Sequence, residues 1–421
     1  MRYLRSVLEL VGPVNGDLQE AFSFSGIGTS SRRGGSGRRR TGEEASPINE
    51  DLNSISSELA TSRALWSKAE DFWQVVGWAF NCSVLHKKRW ERWSLWLEYM
   101  IEVLERDWEI RGNANKEKDG GQDPREQSMI VKYLSSEGAT TNREKKVLRA
   151  VFADASPRTL AEFPEIWRNE TKERKKDNIV KKRETKIDIE EDNYGDYMED
   201  EDSDLDDNPQ TSPPPSSTKP TPQTTTSTAI PLGGTQALTL RLRLLALLSA
   251  VSATLPHSFT RLPTLYDIYL EHIRPLPLPT FALILSPASL SIFPPAAVSS
   301  LTQFILRSII SSSAPLPVTD ELEQDILERA YLPWPANRGG VVDNAKVSLC
   351  VEGLVRLLER EVGLVWGRAL EEAVEKGVRA REERAKGVGR KKEGGEEGWR
   401  WLRGSAGRIR GVVEMAKMAR D

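Results

Sequence analysis

Seven of the twelve tryptophans in this 421-residue chain lie between Trp66 and Trp108. Tryptophan buries more apolar area than most side chains, so this segment predicts a densely packed unit. No proline interrupts the segment, and its apolar residues recur at helical spacing. The pattern predicts two antiparallel helices joined by a turn at His86 to Arg89.

Most of these tryptophans share a helical stripe with aliphatic residues, which predicts core positions for Trp66, Trp73, Trp90, Trp93 and Trp108. Trp78 and Trp96 fall less neatly on these stripes. We expect these two rings at a surface or at a partner interface.

The sequence predicts an all-α protein made of two helical units, each a bundle or a short solenoid-like unit. A long disordered linker, charged and rich in proline, serine and threonine, joins them. The predicted segments are a short helix (1–25), a disordered basic insert rich in glycine and serine (26–48), a Trp-rich helical domain (49–174), the linker (175–233), a second helical domain (234–386) and a basic C-terminal helix (387–421). Because the chain begins almost inside its first helix, we expect further sequence upstream.

Within the first domain, the periodicity predicts a long helix beginning near Asn49, a second helix over 88–111, and shorter helices over 125–135, 142–152 and 157–174. In the second domain it predicts helices over 238–255, 263–273, 297–311, 320–330 and 343–386. Prolines exclude long helices between 275 and 295, where Phe281–Leu285 reads as a short strand or a helical turn.

The apolar run from Ala237 to Leu255 is long enough to raise the question of a membrane span. Arg241 and Arg243 lie in its first third, and each would cost about 2.5–3.5 kcal/mol in a bilayer. We therefore expect a buried helix and no membrane contact. Cys82 and Cys350 are far apart in apolar patterns, which predicts two buried thiols in a reduced compartment.

A basic spot made of Lys87, Lys88, Arg89 and Arg92 lies beside the tryptophans. Basic residues interleaved with aromatic ones can bind nucleic acid, and an acidic partner would suit them equally. The alternative is that the basic spot is a solvated turn that binds no partner. The basic amphipathic helix that begins at Trp399 could likewise dock on a partner helix, on phosphates or on a membrane surface.

The start of the linker holds eight basic residues between Lys172 and Lys186, followed by twelve acidic residues from Asp188 to Asp207. The pattern is typical of a nuclear import signal, with the candidate residues Lys172, Arg174, Lys175, Lys176, Lys181, Lys182 and Arg183. Ser203, within EDSDLDD, is a candidate phosphorylation site for an acid-directed kinase.

Enzyme chemistry has little support, because the three histidines have no metal or triad spacing and no nucleotide motif occurs. We expect no catalytic residue, cofactor or metal site. The favoured hypothesis is a non-enzymatic scaffold or adaptor of a nuclear multiprotein complex, with the cytoplasm as the other location. The alternative is a nucleic-acid- or chromatin-binding protein that uses the basic spot and the basic C-terminal helix.

Overall fold

The computed structural model describes residues 2–24, 65–115, 123–135, 143–172, 231–317, 319, 321–387 and 395–419. In these ranges the regular elements are helical, apart from an isolated antiparallel bridge between Ile310 and Ala336. The all-α prediction is confirmed. The predicted insert over 26–48 and nearly all of the predicted linker lie outside the described residues.

Eight described α-helices precede residue 173: α1 (Arg2–Leu10), α2 (Leu18–Ala21), α3 (Leu65–Lys68), α4 (Phe72–Leu85), α5 (Lys87–Asn115), α6 (Met129–Ser135), α7 (Arg143–Val151) and α8 (Pro157–Glu162). A 3-10 turn, Pro124–Gln127, leads into α6. The long helix predicted from Asn49 is interrupted where the structure describes it. The Asp71 side chain accepts a hydrogen bond from the Gln74 backbone N–H (2.7 Å) and so begins α4 as a separate helix.

Helix α8 is shorter than predicted. It begins as expected, with the Ser156 side chain as its cap and Pro157 at the first position. It ends at Glu162, because Pro164 disfavours helical geometry at the residue before it, and Phe163 has φ −124° and ψ 76°. The chain from Phe163 to Lys172 is therefore free to follow the hairpin of α4 and α5.

Nine described α-helices follow residue 230: α9 (Thr235–Thr254), α10 (Leu262–Ile273), α11 (Leu278–Ile284), α12 (Pro287–Leu290), α13 (Pro295–Ile309), α14 (Gln324–Ile326), α15 (Val341–Glu361), α16 (Arg368–Lys386) and α17 (Gly395–Met418). Short helices begin at the prolines near 278, 287 and 295, so the chain around Phe281 is helical rather than a strand. A π-helical turn, Leu327–Tyr331, replaces the second half of the helix predicted over 320–330.

The helix predicted over 343–386 is in fact two helices, α15 and α16. The backbone N–H groups of Val362 and Gly363 both donate to the carbonyl of Leu358, at 3.0 and 3.1 Å. Gly363 has φ +83°, the left-handed conformation that commonly ends a helix and that glycine adopts without a Cβ clash. The chain turns there, and α16 packs back on the fold through Leu370, Val374 and Val378.

Helix α9 is the one helix in the described part of the chain that is long and apolar enough to cross a membrane. In this fold 72% of that apolar window is buried against other helices. The prediction of a buried helix is confirmed, and the absence of membrane contact stays a prediction.

Helices on both sides of residues 173–230 belong to one compact unit. The ring of His272 in α10 stacks on Phe152 at 4.8 Å, and Arg143 of α7 donates to the carbonyl of Ser258 at 3.3 Å. The second unit, 171–228, is described only at Thr171 and Lys172. Within the first unit, the predicted division into separate bundles over 49–174 and 234–386 stays a prediction.

Candidate partner-binding groove

One tryptophan of α4 and one of α5 donate hydrogen bonds to a buried carboxylate, that of Glu170. The Trp78 indole N–H donates to Glu170 Oε2 (3.1 Å), and the Trp93 indole N–H donates to Oε1 (2.7 Å). Arg89 Nε lies 3.4 Å from Oε1 and donates to the Glu170 backbone oxygen at 2.8 Å. Because the Glu170 side chain is only 1% exposed, its charge depends on these donors rather than on water.

This cluster corrects the expected position of Trp78, which is 3% exposed and not at the surface. Its indole N–H is hydrogen-bonded to Glu170. Trp96 is half-buried and lies edge-on to Trp93, with ring centroids 5.8 Å apart. The sequence did not indicate a role for Glu170. It is 92 and 77 residues from the two tryptophans that it binds, and residues so far apart form no sequence motif.

The other tryptophans of the segment divide between core and surface. Trp73, Trp90 and Trp93 are buried, as predicted. Trp66 is 38% exposed, so its predicted core position is wrong. Trp108 is half-buried, and the guanidinium of Arg125 lies 5.3 Å from the centroid of its ring.

We expect Glu170→Gln to lower the free energy of unfolding by about 1–3 kcal/mol, because it removes a buried charge partner and turns one acceptor oxygen into a donor facing an indole N–H. Urea unfolding followed by tryptophan emission measures this change. Glu91→Gln, at an exposed position of α5, is the matched control, and its effect should stay within about 0.5 kcal/mol. Equal effects of the two substitutions would contradict the assigned role of Glu170.

The basic spot predicted as a turn is the first part of α5. His86 alone separates α4 from α5, and Lys87 begins the second helix. Lys87, Lys88 and Arg92 are exposed, whereas Arg89 is half-buried and engaged by Glu170. Three of the four residues of the basic spot are therefore at the surface.

Of the predicted import residues, the structure describes only Lys172, which is exposed. Arg174, Lys175, Lys176, Lys181, Lys182 and Arg183 lie outside the described residues, as does Ser203. Their roles stay predictions.

The basic C-terminal helix α17 is docked along α15. Leu402, Ile409 and Val412 are buried in this contact. Arg408 donates to both oxygens of Glu352 (2.6 and 2.8 Å), and Arg410 donates to both oxygens of Glu375 (2.6 and 2.8 Å). Two of its arginines are thus already neutralised within the chain.

An apolar groove of about 590 Å³ lies between α11, α12, α15 and α17, and we call it the α15 groove. Its apolar lining includes Leu283, Leu290, Leu349, Leu357, Trp401 and Met415. Leu283 and Met415 are 36% and 61% exposed, so large apolar side chains stand open to solvent here. Exposed apolar area of this kind commonly marks an interaction site.

A second cavity of about 370 Å³ lies beside the α15 groove and shares Leu357 with it. Its lining includes Pro295, Leu322, Leu358 and Val362, and Val362 is 77% exposed. The end of α15 therefore has accessible apolar space on two sides.

The charged residues of the α15 groove are three arginines and two glutamates. The buried carboxylate of Glu352 is shared by Arg408 and by Arg356, whose Nε donates to Oε1 at 3.1 Å. The Glu359 carboxylate accepts the backbone N–H of Leu364 at 2.8 Å. The lining of the groove carries one net positive charge.

Both cysteines are buried as free thiols among the described residues. No group of three or more histidine, cysteine, aspartate or glutamate side chains could hold a metal ion there. Burial raises the pKa of the Cys82 thiol and of the Cys350 thiol, so both stay protonated at neutral pH. Burial also lowers the pKa of His272, which lies against Phe152.

The chain matches no protein-family model, and neither curated protein sequences nor solved structures include a significant match to it.

Proposed function

We propose that this protein is a non-enzymatic helical adaptor that binds a protein partner in the α15 groove. The observation that carries the proposal is the open apolar lining between α11, α12, α15 and α17, with Leu283 and Met415 accessible to solvent. Binding energy at protein interfaces is concentrated in such apolar pockets surrounded by polar residues. Here the surrounding polar residues are the arginines and glutamates of α15 and α17.

The test compares proteins that co-purify with the full chain and with the double variant Leu283→Glu/Met415→Glu. Both positions are exposed, so the fold should survive, and we expect recovery of the groove-dependent partners to fall at least about tenfold. Leu10→Glu, at an 85% exposed position of α1, is the matched control and should retain the full set. An identical partner set from all three proteins would refute the adaptor role of the groove.

The proposal includes a nuclear location, supported by the basic cluster between Lys172 and Arg183. Deleting 172–183 should leave a fluorescent fusion of the full chain in the cytoplasm. Unchanged nuclear fluorescence would remove the import signal from the proposal. The two helical units with a disordered linker belong to the same proposal, because such a linker would leave the import signal accessible.

A second candidate function is nucleic-acid binding through the start of α5. Lys87, Lys88 and Arg92 are exposed, and Lys87 and Lys88 lie at the helix N-terminus, where the dipole favours anions. The triple variant Lys87→Ala/Lys88→Ala/Arg92→Ala should then abolish a salt-dependent mobility shift of DNA or RNA. No shift at low salt with the full chain would eliminate this candidate.

A further inference from the structure

We propose that Arg381 binds a small inorganic anion, chloride, inside the fold through its Nε and Nη2 nitrogens. The site lies between α16 and residues 332–337, which we call the LPWPAN loop after their sequence. Arg381 does not line the α15 groove, so this site is independent of the proposed adaptor function.

The Arg381 side chain is fully buried, and only one of its three nitrogens has an acceptor. Nη1 donates to the carbonyls of Leu332 and Trp334 at 3.0 and 3.3 Å. Nε and Nη2 are enclosed, and neither has a hydrogen-bond acceptor among the described residues. Burial lowers the pKa of Arg381 to about 10, so the guanidinium is charged at neutral pH. Buried charged donors without acceptors are costly, which points to a bound acceptor small enough to fit inside the fold.

Other arginines of this protein show what the Nε and Nη2 edge of a guanidinium binds. The edge donates to one carboxylate in the pairs Arg125 with Asp123, Arg149 with Glu162, Arg243 with Glu105, Arg408 with Glu352 and Arg410 with Glu375. The N–H bonds of this edge are parallel, so both reach a single anionic group. The same edge of Arg381 therefore has the geometry of an anion site.

The positive charge around Arg381 is not balanced by a carboxylate. No acid among the described residues offsets the effect of burial on the pKa of Arg381, and the LPWPAN loop has no acidic residue. Two further cations of α16 approach this loop: Lys376 Nζ lies 5.9 Å from the centroid of the Trp334 ring, and Arg384 Nη2 donates to a carbonyl at the end of the loop (2.8 Å). A water molecule would accept hydrogen bonds but leave the charge unpaired, whereas an anion does both.

Arg241 is the buried arginine that most resembles Arg381, and its surroundings differ. Its Nε also lacks an acceptor, but both of its Nη nitrogens donate to backbone carbonyls. The charge of Asp154 also raises the pKa of Arg241 against the larger effect of burial. We therefore expect no anion at Arg241, which serves as an internal control.

The first experiment follows thermal unfolding of the full chain while sodium chloride replaces sodium gluconate at constant ionic strength. Gluconate is too large for an enclosed site, so bound chloride should raise the midpoint temperature by at least about 2 °C, and the rise should saturate. Arg381→Met should abolish this rise. Arg410→Met, which removes an arginine that is paired with Glu375, is the matched control and should retain it.

Arg381→Lys separates the charge from the geometry. It keeps a positive charge but removes the Nε and Nη2 edge, so it should lose the chloride response as Arg381→Met does. A response of either Arg381 variant equal to that of the full chain would overturn the inference, as would no chloride response of the full chain.

The direct measurement needs no variant, so it decides the question even if neither Arg381 variant folds. Crystals of the full chain grown in sodium bromide are measured at the bromine absorption edge, where bromide scatters anomalously. We expect bromide within hydrogen-bond reach of Nε and Nη2 of Arg381 and none at Arg241. A water molecule at these nitrogens, or an Arg381 side chain turned towards a protein acceptor, would overturn the inference.

Discussion

Replacing Arg241 with methionine is expected to lower the free energy of unfolding by roughly 2–5 kcal/mol, a large part of the 5–15 kcal/mol typical of a folded protein. Arg241 is 1% exposed and lies in the first half of α9. Its guanidinium donates to the carbonyls of Val151 and Ala153, the latter at 2.8 Å, and its carbon lies 4.0 Å from the centroid of the Phe80 ring. Methionine would fill much of the volume but leave two buried carbonyl groups without a donor.

The position of these carbonyls explains why a cation is tolerated there. Val151 is the last residue of α7, and the carbonyls at the C-terminus of a helix carry partial negative charge. Burial lowers the pKa of Arg241 to about 9, so the guanidinium stays charged at neutral pH and its burial must be offset by these acceptors. Arg241 thereby joins α9 to α4 and α7, across the gap in the described chain.

The matched control lies two residues away on the same helix. Arg243 pairs with Glu105 (Nε to Oε1, 2.9 Å), and both side chains are partly exposed. Ion pairs of this kind contribute about 0–1 kcal/mol, so Arg243→Met should have a small effect. Urea unfolding of the full chain measures both variants. Equal losses would show that the carbonyl contacts of Arg241 contribute little.

Gly377→Ala in α16 is expected to lower the free energy of unfolding by roughly 2–4 kcal/mol, although alanine is the better helix former by about 1 kcal/mol. A Cβ at this position would overlap the backbone oxygen of Leu332. That oxygen also accepts a hydrogen bond from Arg381 Nη1 (3.0 Å), and both residues are buried. No side-chain rotation relieves the overlap, so the two backbones must separate.

Gly411→Ala in α17 is the control, with an expected effect of opposite sign. A Cβ there would have no heavy atom within 4 Å, so the substitution should stabilise the protein by about 0.5–1 kcal/mol through helix propensity. Thermal unfolding of the two variants separates packing from propensity. A gain from both substitutions would contradict the close approach of α16 to Leu332.

The periodicity of apolar residues predicted most of the helices, because a helix that buries one face must repeat its apolar residues at 3–4 positions. It failed where two helices follow one another in a compatible register. The pattern across Val362 to Gly367 continues smoothly, and only the left-handed turn at Gly363 divides α15 from α16. It also failed at Ala69–Asp71, where the Asp71 cap begins a new helix.

The candidate sites were less predictable than the helices. The exposed Lys87, Lys88 and Arg92 could be named from their order in the chain, but the engagement of Arg89 and Trp78 by Glu170 could not. The α15 groove combines residues from 282 to 415, and no sequence spacing reports which faces of distant helices remain uncovered. The groove could therefore be identified only from the packing of the helices in the structure.

The sequence by itself determined that this protein is helical and where its tryptophans are dense, because helix formation and apolar periodicity are local properties of the chain. The tertiary structure alone decided which of those tryptophans are buried, which arginines are already paired, and which apolar surface is left open. Those properties depend on contacts between residues far apart in the chain, such as Trp78 with Glu170 and Arg408 with Glu352. Such contacts form only when the helices pack together. Packing determines which part of the dense tryptophan segment is buried and which apolar surface, the α15 groove, stays open.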